Sequence, residues 1–192
     1  MPTGTALRDV REQLFDAAER VLLRSGANAL TSRAVTEEAG VAKGVLHRHF
    51  ADFDDFLVEL VRDRIGRMDD RAAALRDAAG TGSVAGNLTE TLIAVFESVA
   101  LSIVGLITAR DEVRARLRKD LPAGVPVLTE AAIMIAGYLA AERDRGRVPA
   151  DAEVDTLAAM LIGTTHLLYA GQDDVPREAI AKIVTRVLAT GS

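Results

Sequence analysis

Within the seven residues from Lys43 to His49 the chain carries Lys43, His47, Arg48 and His49, spaced by Gly44, Val45 and Leu46. Cations at this density bind phosphate, and an arginine can fork onto the acceptor edge of a guanine. His47 and His49 can donate to phosphate oxygens, and a histidine gains charge as pH falls. His49 could equally be a half-buried structural residue. Gly44 weakens a helix by about 1 kcal/mol relative to alanine; it allows close approach of backbone to a ligand, or marks a local kink. Val45 could touch a thymine methyl group or sugar, or pack in the core. A dozen residues earlier, Thr31, Ser32 and Arg33 open another short segment, whose hydroxyls can hold a phosphate or cap a helix.

These groups need a frame that presents them outward. Thr31 or Ser32 can start a short helix in which Val35 and Ala39, four apart, share the buried stripe. Gly40 supplies the left-handed backbone of a sharp turn, and Val41 packs inside it. A second short helix then buries Leu46 and Phe50, again four apart, and leaves Lys43, Gly44, Val45, His47 and Arg48 on its other face. The arrangement is a helix-turn-helix, whose second helix can enter a DNA major groove. Upstream, Val10, Leu14, Ala17, Val21 and Leu22 recur at helical spacing from about Leu7 to Arg24, and Gly26 stops that helix. The three helices make one small domain.

The order Ala39-Gly40-Val41, Lys43-Gly44, His47, Arg48, His49-Phe50 resembles the DNA-binding domain of the TetR family of bacterial transcriptional regulators. The resemblance covers residues 8 to 65, and the remainder agrees in length and helical character. It departs from the family pattern at three places. Ala42 stands where a Ser or Thr usually caps the recognition helix, and His47 where a tyrosine usually touches phosphate. Phe53 stands where a phosphate-binding Lys is common, among Asp52, Asp54 and Asp55, which would repel a phosphate.

The bulk properties fit this reading. At 192 residues the chain can hold a small domain joined to a larger one. Hydrophobic residues make up 49% but aromatics only 4%, so Leu, Val, Ile and Ala must build a helix-on-helix core. There is no cysteine, which excludes disulfides and thiolate metal sites and suits a reducing cytoplasm. The net charge of −5 is uneven: residues 1–50 hold seven basic and six acidic residues, and residues 51–192 hold sixteen against twenty-two. A DNA-binding module needs a basic face rather than a basic protein. The start of the chain lacks an apolar secretory core. The most membrane-like stretch, Thr91 to Ile107, is interrupted by Glu97, Ser98 and Ser102, which favours a buried helix of a soluble protein.

Downstream, Asp52 caps a long helix running to about Ala79, with Phe56, Leu57, Leu60, Val61 and Ile65 along one side, and Gly80 to Ser83 breaks the chain. Further helices are expected over Thr89–Thr108, Asp111–Leu121, Val127–Arg145, Asp151–Ala170 and from Pro176 onward, with a loop at Pro122 to Pro126. The fold class is therefore all-α, about nine helices, with a helix-turn-helix domain over residues 1–51 and a larger domain over 52–192.

Polar groups interrupt the apolar helices of the larger domain, and they must pair or line a cavity. The resemblance implies an effector pocket there, with Phe96, Met134, Tyr138, His166 and Tyr169 as candidate wall residues, although each could be ordinary core. Small Ala159 and Gly163 beside Leu157, Leu161 and Leu168, with the stripe Ile180, Val184 and Val187, suggest a four-helix dimer interface. The histidines show no metal-ligand spacing, no nucleophile–base pair or phosphate loop appears, and no cofactor or enzyme activity is expected. The expected partners are an operator in double-stranded DNA, a small-molecule effector and a second copy of the chain. A helical ligand-binding or dimerisation protein with weak or lost DNA binding is the alternative.

Overall fold

The computed structural model describes residues 4–97, 100–121, 124–171 and 174–191. Among them are ten α-helices: α1 (Gly4–Ser25), α2 (Ser32–Glu38), α3 (Gly44–His49), α4 (Phe53–Asp77), α5 (Val84–Phe96), α6 (Ala100–Ala109), α7 (Asp111–Leu117), α8 (Leu128–Asp144), α9 (Val154–Ala170) and α10 (Arg177–Thr190). The apolar stretch expected as one helix over Thr89–Thr108 is two, α5 and α6. Helix α5 starts earlier, where the Ser83 side chain accepts from the Gly86 amide, and its last turn closes on exposed Glu97. Helix α5 is not apolar all round, since it carries exposed Glu90, and it ends where Glu97 also meets solvent. Ser98 and Pro122 lie outside the described residues, as do the first three residues.

The chain divides into two compact units, 1–64 with 102–123, and 65–101 with 124–192. In the first, α1 buries Leu14, Phe15, Ala17, Ala18, Val21 and Leu22 on one stripe. Phe15, Phe50 and Phe56 form its aromatic centre, with ring centroids 5.0 to 5.7 Å apart, a spacing worth more than burial alone. Ile103, Leu106 and Ile107 of α6 and Val113 and Leu117 of α7 are also buried. Helix α4 is fixed at its start by a reciprocal cap. Asp52 accepts from the Asp55 amide at 2.6 Å, and Asp55 accepts from the Ala51 amide at 3.0 Å.

In the second unit α8 pairs with α9, and α10 packs on α5 and α9. Leu88, Leu92, Ile135, Leu139, Leu161, Ile180 and Val184 fill the space between them. One charged side chain, Glu142, is fully buried in α8. It accepts from the Tyr138 hydroxyl at 2.6 Å, from the Gly80 amide at 3.1 Å and from Arg147 at 3.2 Å. Asn87 donates to the Tyr138 oxygen at 2.9 Å and to the Thr81 carbonyl at 3.0 Å. A buried carboxylate is tolerated because every lone pair has a donor, and the network ties the end of α8 to the turn before α5.

Candidate nucleic-acid interface

The interface is assembled by the turn between α2 and α3. Thr31 caps α2, its hydroxyl accepting from the Ala34 amide at 3.1 Å. The helix ends at Ala39, and Gly40 turns the chain at φ +68°. Leu46 is fully buried and Phe50 nearly so. That anchoring turns the opposite side of α3 outward: Lys43, Gly44, His47 and Arg48 are exposed, while Val45 and His49 are half-buried. A side chain built on Gly44 would meet nothing within 4 Å, so space around it is open. Lys43 precedes α3 and makes no side-chain cap, as expected with Ala42 in place of a hydroxyl residue.

Pairing separates these cations from their neighbours. In the same unit Arg11, Arg20, Arg24, Arg33, Arg62, Arg64, Arg110, Arg114 and Arg116 each contact a carboxylate. Lys43, His47 and Arg48 contact none among the described residues, so they are free to meet an external anion. Arg33 is exposed and bridges to Glu37 at 2.7 Å, one turn on. Such a pair is weak, a few tenths of a kcal/mol, and would yield to a phosphate. Thr31 is exposed and Ser32 half-buried at the start of α2.

A second layer holds this surface in place, and the sequence reading did not find it. Arg11 donates to the His49 carbonyl at 3.1 Å, pairs with Glu59 at 3.1 Å, and lies over the Phe50 ring at 4.3 Å. Gln13 donates to the Ala39 carbonyl at 2.9 Å, satisfying the end of α2. Arg20 and Arg24 both reach Glu38 at 2.8 Å, and these arginines hold its carboxyl below the usual carboxylate range. Buried Arg64 joins Asp16, Glu19 and Asp63. Apart from the Arg64–Asp63 contact within α4, these bonds join residues on different helices, so no local pattern announces them.

The acids at the head of α4 are not bare. Asp52 takes a two-pronged bond from Arg116, 3.1 Å to each oxygen, which holds its carboxyl below the ordinary range. Asp54 pairs with Arg110 at 3.3 Å, and the Arg110 guanidinium lies 5.3 Å from the centre of the Phe53 ring. Asp55 is the capping partner already described.

The five candidate pocket residues separate in the second unit. Phe96 stacks on Tyr169 at 5.4 Å and lies 6.3 Å from His166. Next to these rings, Thr165 Oγ1, His166 Nδ1 and Tyr169 OH are shielded from water without a hydrogen-bond partner among the described residues. Burial, followed by the fields of Glu97 and Asp174, raises the Tyr169 hydroxyl pKa. Met134 is buried. Tyr138 gives its hydroxyl to the Glu142 network, where burial and then the hydrogen bond to Glu142 push its pKa up to about 12. A separate cleft of about 330 Å³ between α4 and α5 is lined by Arg71, Leu75, Ala78, Asn87, Thr91 and Val95, none of them a predicted residue.

The residues expected as a dimer stripe differ in exposure. Leu157, Leu161, Ile180, Val184 and Val187 are between 0% and 6% exposed within the single chain, because α9 and α10 use them to pack together and on α5. Ala159 and Gly163 are exposed and Leu168 is half-buried. The outward arc of α9 also carries Met160 and Leu167, 40% and 74% exposed, and Ile133 of α8 is 54% exposed. Among the described residues no single helix is long and apolar enough to cross a membrane.

Comparison with known proteins agrees with this geometry. Residues 14–60 match the family of bacterial regulatory proteins, tetR family. The HTH-type transcriptional regulator BetI of Rhizobium meliloti is 34% identical over 71 residues, 37% of this chain and 35% of that protein. The HTH-type transcriptional repressor KstR2 of Mycolicibacterium smegmatis is 28% identical over 112 residues, 58% of this chain and 53% of that protein. The chain thus aligns with about a third to a half of the length of these curated relatives. Solved structures match nearly throughout. The transcriptional regulator FadR of Bacillus subtilis, in complex with stearoyl-CoA, superposes with a TM-score of 0.66 at 19% identity, covering 94% of this chain and 98% of that one. A TetR transcription regulator from Haloarcula marismortui gives 0.70 at 17%, covering 96% and 98%. At those identities the likeness is one of fold. Its helix-turn-helix segment, residues 14–60, is thus similar in sequence to the tetR family of bacterial regulatory proteins, and its all-helical fold is shared over nearly its whole length with regulators of known structure.

Proposed function

We propose that the chain is a cytoplasmic transcriptional regulator, most simply a repressor, that binds a palindromic DNA operator as a homodimer and is released by a small-molecule effector. Residues 1–51 serve as the DNA-binding domain, and residues 52–192 as the effector-binding and dimerisation domain. One observation carries the reading. At the start and along the outer side of α3, Lys43, His47 and Arg48 meet solvent with no carboxylate partner among the described residues, on a surface whose other described arginines are mostly paired. In the groove, Arg48 and Lys43 meet phosphates or base edges, Val45 a thymine methyl group, and Thr31, Ser32, Arg33, His47 and His49 the backbone.

The dimer is expected to form across the exposed arc of α9 carrying Ala159, Met160, Gly163 and Leu167, where small residues admit close helix approach. The effector is expected beside Phe96, His166 and Tyr169, where buried hydroxyl and imidazole atoms have no hydrogen-bond partner among the described residues and each unmet group costs about 1–3 kcal/mol. The stearoyl-CoA complex of the Bacillus subtilis regulator supports a small-molecule effector without naming this one. Effector binding shifts the population toward a dimer whose two α3 helices no longer match the half-site spacing. Selection of duplexes from a random pool tests the reading. The wild type should enrich a twofold-symmetric site and Arg48→Ala should not; enrichment of nothing by the wild type favours a helical ligand-binding protein.

A further inference from the structure

Directly after the basic face of α3, the chain places Asp52, Asp54 and Asp55. Unbalanced carboxylates there would oppose an approaching phosphate backbone. The folded chain balances two of them from a remote segment. Arg116 of α7 forks onto both oxygens of Asp52 at 3.1 Å, and is itself braced by Glu112 at 2.9 Å. Arg110, just before α7, pairs with Asp54 at 3.3 Å and donates to the Leu30 carbonyl at 3.2 Å. Leu30 immediately precedes Thr31, the cap of α2, so Arg110 joins the head of α4 to the start of α2. The fork is a directional bond that lysine would not reproduce.

We propose that Arg110 and Arg116 are positioning residues of the nucleic-acid interface, which cancel the charge of Asp54 and Asp52 and hold the heads of α2 and α4 together, without touching DNA themselves. The inference rests on the DNA-binding reading and extends the interface to a segment outside the helix-turn-helix. It separates two kinds of arginine on one surface. Arg48 acts on phosphate directly, whereas Arg116 acts by removing a repulsion.

The test compares wild type, Arg116→Gln, Asp52→Asn and the double variant by fluorescence anisotropy on a labelled random-sequence duplex, at several salt concentrations. Asparagine keeps the helix cap that Asp52 provides. In a dimer, Arg116→Gln leaves two carboxylates unbalanced and should weaken binding about tenfold. Asp52→Asn should bind at least as well as wild type, and the double variant should return to within about twofold of wild type, as expected for two groups acting through each other. The same Asp52→Asn change should not rescue Arg48→Ala. A double variant as weak as Arg116→Gln, or an Arg116→Gln protein that binds like wild type, overturns the proposal. Should Arg116→Gln alone unfold, weak binding by a folded double variant overturns it equally. A wild type that binds no duplex even at low salt refutes the DNA-binding reading itself, and this inference with it.

Discussion

Replacing Arg48 by alanine should change the salt dependence of DNA binding by an amount that follows from its surroundings. Lys43 and Arg48 are exposed and have no carboxylate partner among the described residues, so neither must leave one of these to meet a phosphate. Two such cations per subunit make four in a dimer. Each phosphate neutralised contributes about −0.9 to the slope of log K against log salt, so these four supply a slope of about −3.6. Between 50 and 200 mM salt they account for about a 150-fold loss of affinity. Arg48→Ala removes two contacts, so the slope should flatten by about 1.8 and this contribution should fall to about 12-fold. Anisotropy with a labelled random duplex across a salt series measures the slope. Circular dichroism should show stability unchanged within about 0.5 kcal/mol, as for a surface change. Lys182→Ala, which removes an exposed cation of α10, is the control and should leave the slope alone. An Arg48→Ala slope equal to wild type, or an equal flattening in Lys182→Ala, would refute the assignment of α3 to the groove.

Other consequences follow from the same geometry. Gly40→Ala places an L residue at φ +68° with nothing within 4 Å of its side chain, so only backbone strain acts and the unfolding free energy should drop by about 1–2 kcal/mol; no drop in a urea titration would contradict the turn. Glu142→Ala takes the acceptor from the buried Tyr138 hydroxyl and removes the bonds to the exposed Gly80 and Arg147, and should cost about 1–3 kcal/mol, read by thermal unfolding. The Tyr138 hydroxyl, raised to about 12 against about 10 unfolded, stabilises the fold fully below pH 10 and loses that contribution as pH rises toward 12. Tyr138→Phe should remove this alkaline slope, and absorbance titration of the two tyrosines should lose its latest step; an unchanged profile would exclude the assignment. Leu167→Glu should shift a dimer to monomer in light scattering, whereas a dimer retained would move the interface off the outer arc of α9.

Much of the candidate surface's local geometry was legible from local rules. Gly40 is the left-handed turn residue, Thr31 the cap, and Leu46 with Phe50 the buried side of α3. Three-and-four spacing then sends Lys43, His47 and Arg48 outward, because a short helix with one apolar side has one way to lie on a core. Asp52 starts its helix as a carboxylate cap should, whereas the helix expected from Thr89 begins earlier, on the Ser83 cap.

Tertiary structure decided matters that periodicity leaves open. Helix α9 has apolar residues on more than one side, so its sequence does not say which side packs inward. Leu157 and Leu161 went to the chain's own core and Leu167 to solvent, because α8 and α10 cover one arc and not the other. Tyr138 was a pocket candidate by type, but Glu142, one turn on, and Asn87, across the unit, took its hydroxyl. The acids after α3 read as an obstacle to DNA until Arg110 and Arg116 arrived from about sixty residues along the chain. Caps, turns and amphipathic stripes are settled within a few residues by backbone geometry, and the sequence by itself determines them. The partner of a buried polar group or a long arginine depends on which distant segments the packed core brings within 3 Å, and only the folded chain decides that.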